Sequence, residues 1–180
     1  MVFFVPRKGV IMNTKSLVHG AIFIALGFIF HYIIPGFFFG MKPDFMLFFM
    51  VTYIIIYPNV KNALAIGVAM GIMSAISTSF PGGQVANMID KPIAALFTLY
   101  AYRYLLNSGA IKKAILYFLA TVVSGSAFLG VAMMIAGLPD GAPFSAMFVT
   151  IVLPTAAMSG ALGLVFDKLV GKQLARTLTR

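Results

Sequence analysis

"LVHGAIFIALGFIFHYII", residues 17–34, is an unbroken apolar run with histidine as its only charge-capable residue type apart from Tyr32. Lys15 stands just before it and Pro35-Gly36 just after it. A helix needs about 20 residues, with a range of about 17–25, to cross the hydrocarbon of a bilayer, and this run is long enough. Five more runs follow it: Phe45–Tyr57, Val60–Phe80, Ile89–Leu106, Ile111–Ala136 and Phe144–Val170. The gaps hold turn formers in "PGFFFG", "YPNVKN", "FPGG", "NSGAIKK" and "GLPDGAP". The second run is short unless Met41 or Lys42 begins it, with Pro43 in the first turn. The last two are long, and Pro154 predicts a kink in the sixth. No internal repeat or linker interrupts the series. The expected fold is an all-α integral membrane protein, one bundle of six transmembrane helices.

Composition gives the same answer. The chain has 180 residues, of which 61% are hydrophobic and 9% charged, and its mean hydropathy is +1.02. Soluble domains carry about 25% charge, and so apolar a chain cannot cover itself with polar surface in water. There is no cysteine, which excludes disulfides, thiolate nucleophiles and cysteine metal sites. The net charge of +9 is not gathered into a nucleic-acid footprint, because the basic residues recur in the short gaps between apolar runs. No nucleic-acid partner is expected; the lipid bilayer is.

Six spans put both termini on one side. With that side cytoplasmic, Arg7, Lys8, Lys15, Lys61, Arg103, Lys112, Lys113, Lys168, Lys172, Arg176 and Arg180 lie inside, and only Lys42 and Lys91 lie outside. Such an excess is the positive-inside signature of a multi-pass protein of the cell membrane. Of the four acids, Asp44, Asp90 and Asp140 fall outside and Asp167 inside. The opening "MVFFVPRKGVI" has its charges after its apolar part, the wrong order for a signal peptide. The codons AGG AAA GGA GTG ATT ATG would encode Arg7–Met12 and would carry a ribosome-binding site ahead of Met12. Residues 1–11 are therefore expected to be a start-site artefact or a disordered tail, with residues 12–180 forming the single domain.

The outer charges are the chemically interesting ones. "GMKPD" places Lys42 and Asp44 at the mouth of the second span, and "NMIDKP" places Asp90 and Lys91 at the mouth of the fourth. Charges at the edge of hydrocarbon are costly and are paired or functional. The plain reading is that they snorkel to headgroups or staple two loops. The functional reading is a pocket for a zwitterion, with a lysine on a carboxylate and an aspartate on an ammonium. Gln84 and Asn87 offer both donors and acceptors, and Gly82 and Gly83 let backbone approach a ligand. Phe37, Phe38 and Phe39 are suited to lipid or to clasping a flat apolar side chain, which points to an aromatic amino acid. His31 is near enough to the outer mouth to reach such a pocket. His19 lies near the other end of its span, and no metal site is expected from two such separated histidines. Small residues at Ser16, Gly20, Ala21 and Ala25 form a row on which a helix can pack closely.

"GMKPDFMLFFM", "SFPGGQVANMIDKP" and "HGAIFIALGFIFHYIIP" together resemble the TrpP-type tryptophan transport protein family, small bacterial membrane proteins similar to S components of energy-coupling factor (ECF) transporters. The resemblance runs from about Met12 to about Lys172. It implies an S-component-like bundle that captures tryptophan from outside. It also implies partnership with a transmembrane T component and two ATPase subunits, docked through an Ala-xxx-Ala row that Ala21 and Ala25 match. No cofactor is expected in the chain itself. It lacks a G-x-x-x-x-G-K-[ST] loop to cradle ATP, and it lacks the G-x-S-x-G and H-E-x-x-H patterns of hydrolases. The chain has no Trp and seven Tyr, although Trp is favoured at membrane interfaces; a protein made during tryptophan starvation gains from needing none. The rival readings are a self-sufficient proton-coupled carrier using Asp90 or His31, and a membrane scaffold that binds nothing.

Overall fold

The structure is a computed structural model that describes residues 14–34, 44–104 and 109–178, with side chains described as far as residue 169, Asp140 excepted. The described residues form helices and no strand. In chain order they are α1 (Thr14–Ile33), α2 (Phe45–Ile56), α3 (Val60–Ser77), α4 (Gly83–Tyr104) and α5 (Ala110–Ile135), then a sixth rod. That rod consists of α6 (Phe144–Met147), a π-helical turn (Phe148–Val152) and α7 (Leu153–Leu178). Six helical segments thus match the six runs. Four of them, Thr14–Ile33, Val60–Ser77, Ala110–Ile135 and Phe144–Leu169, are both long and apolar enough to cross a membrane.

α2 differs from the run expected in its place. It is described from Phe45, capped by Asp44, whose side chain accepts a hydrogen bond from the Leu47 amide at 2.9 Å; Met41, Lys42 and Pro43 lie outside the described residues. Its 12 residues reach only about 18 Å at 1.5 Å per residue, short of the roughly 30 Å of hydrocarbon. Nearly every residue of α2 is buried, and α1, α3, α4, α5 and α7 all touch it. A helix apolar on all sides belongs in a core, and α2 is the axis of this one. Met46, Met50 and Ile54 meet Ile66 and Met70 of α3, Ala94 and Leu99 of α4, and Leu116 and Tyr117 of α5. The Tyr117 hydroxyl hydrogen-bonds to Thr52 at 2.8 Å, which satisfies two polar groups inside that core.

α4 is the largest departure. Its start was expected at Ile89, but the helix begins at Gly83 and runs through Pro92. "GQVANMIDKP" is therefore nearly three turns of helix rather than the edge of a loop. Its buried positions include Asn87, Asp90, Lys91, Ala94, Ala95 and Thr98, one face at helical spacing. Its 22 residues span about 33 Å, and its charges, not its length, separate it from the four apolar spans.

α3 lies close against that face because of two glycines. A Cβ on Gly67 would come 2.8 Å from the Ala95 Cβ, and one on Gly71 would come 2.9 Å from the Asn87 carbonyl oxygen. This small-xxx-small seam fixes the turn of α4 that carries Asn87 and Lys91. Overpacking a tight contact costs about 1–3 kcal/mol. Gly71→Ala is accordingly expected to lower the thermal unfolding midpoint in detergent. Gly130→Ala, where a Cβ meets nothing within 4 Å, should leave the midpoint unchanged or raise it.

The row of small residues on α1 divides between two faces. Ser16 and Gly20 are buried and face Tyr53, which donates a hydrogen bond to the Ser16 carbonyl at 3.1 Å. Ala21 and Ala25 are exposed. The expected kink at Pro154 takes the form of the π turn: the Leu153 amide bonds back to the Phe148 carbonyl, five residues away. Proline has no N–H to give and crowds the preceding turn, and the wider register just before it absorbs the misfit.

The helices alternate in direction. The ends of α1, α3 and α5 and the starts of α2, α4 and α6 share one end of the bundle, opposite the described chain ends. Lys15, Lys61, Arg103, Lys112 and Lys113 lie at the other end, by their places at the starts of α1, α3 and α5 and the end of α4. There Lys113 pairs with Asp167, His19 hydrogen-bonds to Tyr57, and Arg103 donates to the Pro58 carbonyl at 3.3 Å.

Candidate functional site

A cavity of about 300 Å³ opens at the end of the bundle away from that basic set. This is at the lower edge of the roughly 300–1,000 Å³ of small-molecule sites. All six helical segments contribute to its wall: His31 from α1; Asp44 and Leu47 at the start of α2; Ser74 from α3, with Thr78 and Phe80 in the turn after it. From α4 come Asn87, Asp90 and Lys91, from α5 Thr121, Ser124, Gly125, Phe128 and Leu129, and from the sixth rod Ile151, Val152 and Thr155.

The polar part is built around Lys91, which is 2% exposed, and Asp90, which is 0% exposed. Such residues are almost never fully buried unless paired. The Lys91 ammonium donates to Asp44 Oδ2 at 2.8 Å, to Asp90 Oδ2 at 2.9 Å and to Asn87 Oδ1 at 3.3 Å. Three acceptors account for its three N–H bonds. Asn87 is itself held, donating from Nδ2 to the Gly83 carbonyl at 2.9 Å. Asp44 uses both oxygens, one on Lys91 and one on the amide of Leu47. Asp90 does not. Ser124 and Lys91 both donate to Oδ2, and Oδ1 is buried with no hydrogen-bond partner among the described residues. Ser74 Oγ is in the same condition. The wall also has an apolar part: Phe80 and Phe128 stand edge to face with ring centroids 5.2 Å apart, and Leu129 and Val152 belong to the same cluster. Charged and aromatic surface in one wall make an amphipathic chamber.

Of the residues singled out from the sequence, Asp44, Asn87, Asp90, Lys91 and His31 come together here. Asp44 from one of the two expected acid–base pairs joins Asp90 and Lys91 of the other in one cluster. Gln84 is exposed and is not in the wall. Gly82 and Gly83 are not in it either. Gly82, at φ +69°, turns the chain into α4 against Ala132 of α5 and Ala136 just after it, and Gly83 fits beneath Thr78 and Phe80. Phe37, Phe38, Phe39 and Lys42 lie outside the described residues. No group of three or more metal-ligating side chains occurs among the described residues.

The reading by charge overlooked the hydroxyl and aromatic contributors. Thr121, Ser124 and Phe128 sit at i, i+3 and i+7 on α5, one helical face, and two hydroxyls at that spacing in an otherwise greasy run were the available signal. Ile151, Val152 and Thr155 had none, because the π turn that aims them cannot be read from residue type.

Residues 13–175 match the family described as Tryptophan transporter TrpP. The chain belongs to the TrpP tryptophan transporter family. A relative from Bacillus subtilis (strain 168), named "Probable tryptophan transport protein", is 46% identical over 151 residues, covering 82% of this chain and 86% of the relative. Relatives of the same name come from Clostridium acetobutylicum, 36% identical over 165 residues, and Clostridium perfringens, 37% identical over 175 residues; each comparison covers 91% of this chain and 95% of the relative. No solved structure matches the chain. TrpP proteins are transport proteins and not enzymes. With four span-length apolar helices, this member of the TrpP family is a multi-pass membrane protein.

Proposed function

We propose that this TrpP-family protein is the substrate-binding membrane subunit of a tryptophan uptake system and that the chamber receives the amino acid. The observation that carries the reading is the Asp44–Lys91–Asp90 cluster lining one cavity with the Phe80–Phe128 pair inside a chain of otherwise apolar helices. Ionisable groups buried in a membrane bundle are expensive and mark a solute path. The chamber opens to the outside of the cell membrane and both termini are cytoplasmic. Supporting this is the gathering of Lys15, Lys61, Arg103, Lys112 and Lys113 at the other end of the bundle.

Energy comes from an ECF-type module of one T component and two ATPases. The given sequence has no phosphate-cradling loop, and Ala21 and Ala25 lie on the exposed face of α1, which among the described elements touches only α2 and α3. A small-residue row on such a face admits a partner helix closely. One observation favours a second reading, a self-sufficient proton-coupled carrier: the buried, half-satisfied carboxylate of Asp90 has the character of a proton site.

The first test is titration calorimetry of tryptophan into the purified protein in detergent. Saturable binding is expected, and no binding of any aromatic amino acid defeats the proposal. Uptake in vesicles then separates the energy sources. Dependence on the co-expressed module and ATP is expected, whereas uptake without the module that an uncoupler abolishes selects the carrier.

A further inference from the structure

Among the described residues, carboxylates outnumber ammonium groups in the chamber wall, and one carboxylate oxygen lacks a hydrogen-bond partner. The described residues of that wall hold two carboxylates, Asp44 and Asp90, and one ammonium, Lys91; His31 adds an imidazole, whose electrostatic influence falls on Asp44. The ammonium has no donor left to give, since Asp44, Asp90 and Asn87 take all three of its hydrogens. A ligand carboxylate coming to Lys91 would have to displace one of these acceptors and would arrive beside two like charges. A ligand ammonium meets the opposite situation. Among the described residues Asp90 Oδ1 is a buried acceptor without a hydrogen-bond partner, and Ser74 Oγ is a second such oxygen in the same wall. Leaving such groups unpaired is costly, and a cationic N–H donor is the partner that repairs both the hydrogen bonding and the charge.

Asp44 does not compete for this role, because its two oxygens are committed to Lys91 and to the start of α2. Lys91 is thus a positioning residue that holds Asp90 in place. The uncharged remainder of the chamber, with Phe80 and Phe128, accommodates the aromatic body.

We propose that the chamber recognises its ligand through the ammonium, held by Asp90, and that aromatic amines lacking a carboxylate are therefore also ligands. This rests on the chamber being the tryptophan site. It adds that the amine, not the acid, is the group selected.

The experiment is competition against labelled tryptophan on the full-length protein, using tryptamine, which keeps the amine only, and indole-3-propionate, which keeps the acid only. Tryptamine is expected to compete within about 10-fold of tryptophan and indole-3-propionate at least about 100-fold more weakly, the span of a charge-assisted hydrogen bond left unmade. In Asp90→Asn the preference for tryptamine over indole-3-propionate should shrink by about 10-fold or more. If indole-3-propionate competes as well as tryptamine or better, or if both are equally weak, the amine-selective site is overturned while tryptophan binding stands. If labelled tryptophan itself does not bind, the tryptophan site and this inference fall together. The wild-type series is decisive even if the variant does not fold.

Discussion

Lys91→Met is expected to be the most damaging single substitution in the protein, costing about 3–5 kcal/mol, the usual result of removing one partner from a buried ion pair. The sign follows from the geometry. Lys91 separates Asp44 from Asp90, with its ammonium 2.8 Å from one and 2.9 Å from the other, and methionine fills the space without the charge. Two carboxylates are then left facing each other in a site with little water. Against a typical total stability of about 5–15 kcal/mol, that is enough to deplete folded protein in the membrane. The measurement is the thermal or denaturant midpoint in detergent, read beside expression level. The effect is electrostatic, so it should be largely recovered by neutralising the acids as well. Lys91→Met with Asp44→Asn and Asp90→Asn keeps the α2 cap, since asparagine caps as well as aspartate, and should melt near the wild type. A single variant as stable as the wild type, or a triple variant no better than the single, would show that the cluster does not hold the helices in the way described.

Asp90→Asn should have the opposite profile. It removes the surplus negative charge, and the remaining amide oxygen can still accept from Lys91 and Ser124. Stability is expected to be unchanged or higher. Tryptophan binding, in contrast, should weaken by roughly 10- to 100-fold, the equivalent of the about 1.5–3 kcal/mol of a hydrogen bond to a charged group. A protein that gains stability and loses ligand at one position is showing a site kept strained for its function. Calorimetry and a melting curve on the same preparation check both halves. Loss of stability in proportion to loss of binding would mean that Asp90 is a structural member of the cluster and nothing more.

These two residues also show how far the sequence could be read. Asp90 and Lys91 stood out because charge is rare in so apolar a chain, and the alternation of apolar runs with basic gaps placed them at the correct end of a six-helix bundle. Their burial was not legible. It depends on Asp44, 47 positions away from Lys91 in the sequence, and on Ser124 of α5, and no local pattern announces such partners. The start of α4 was misjudged for a different reason. Glycine, asparagine and proline are turn formers by propensity, and "FPGGQVANMIDKP" is rich in them. In the fold Asn87 spends its side chain on the Gly83 carbonyl within the helix, and the Gly67–Gly71 seam of α3 holds the segment helical against its preferences. Tertiary packing overrode propensity there. The burial of α2, by contrast, was implicit in a run with no polar face.

The π turn at Phe148–Val152 has a consequence for the length of the chain. It acts as one residue more than a regular helix would hold, and in an α-helix each residue turns the following face by about 100°. Everything after it, including Thr155 on the chamber wall and Gly163, whose absent side chain lets Tyr117 of α5 lie against the backbone, is indexed by that extra residue. Exchanging side chains within the stretch alters the wall of one chamber. Deleting one residue from it would close the wide turn into a regular α-helix and leave the last helix nearly in phase with its neighbour, whereas the same deletion in a regular stretch would rotate everything after it.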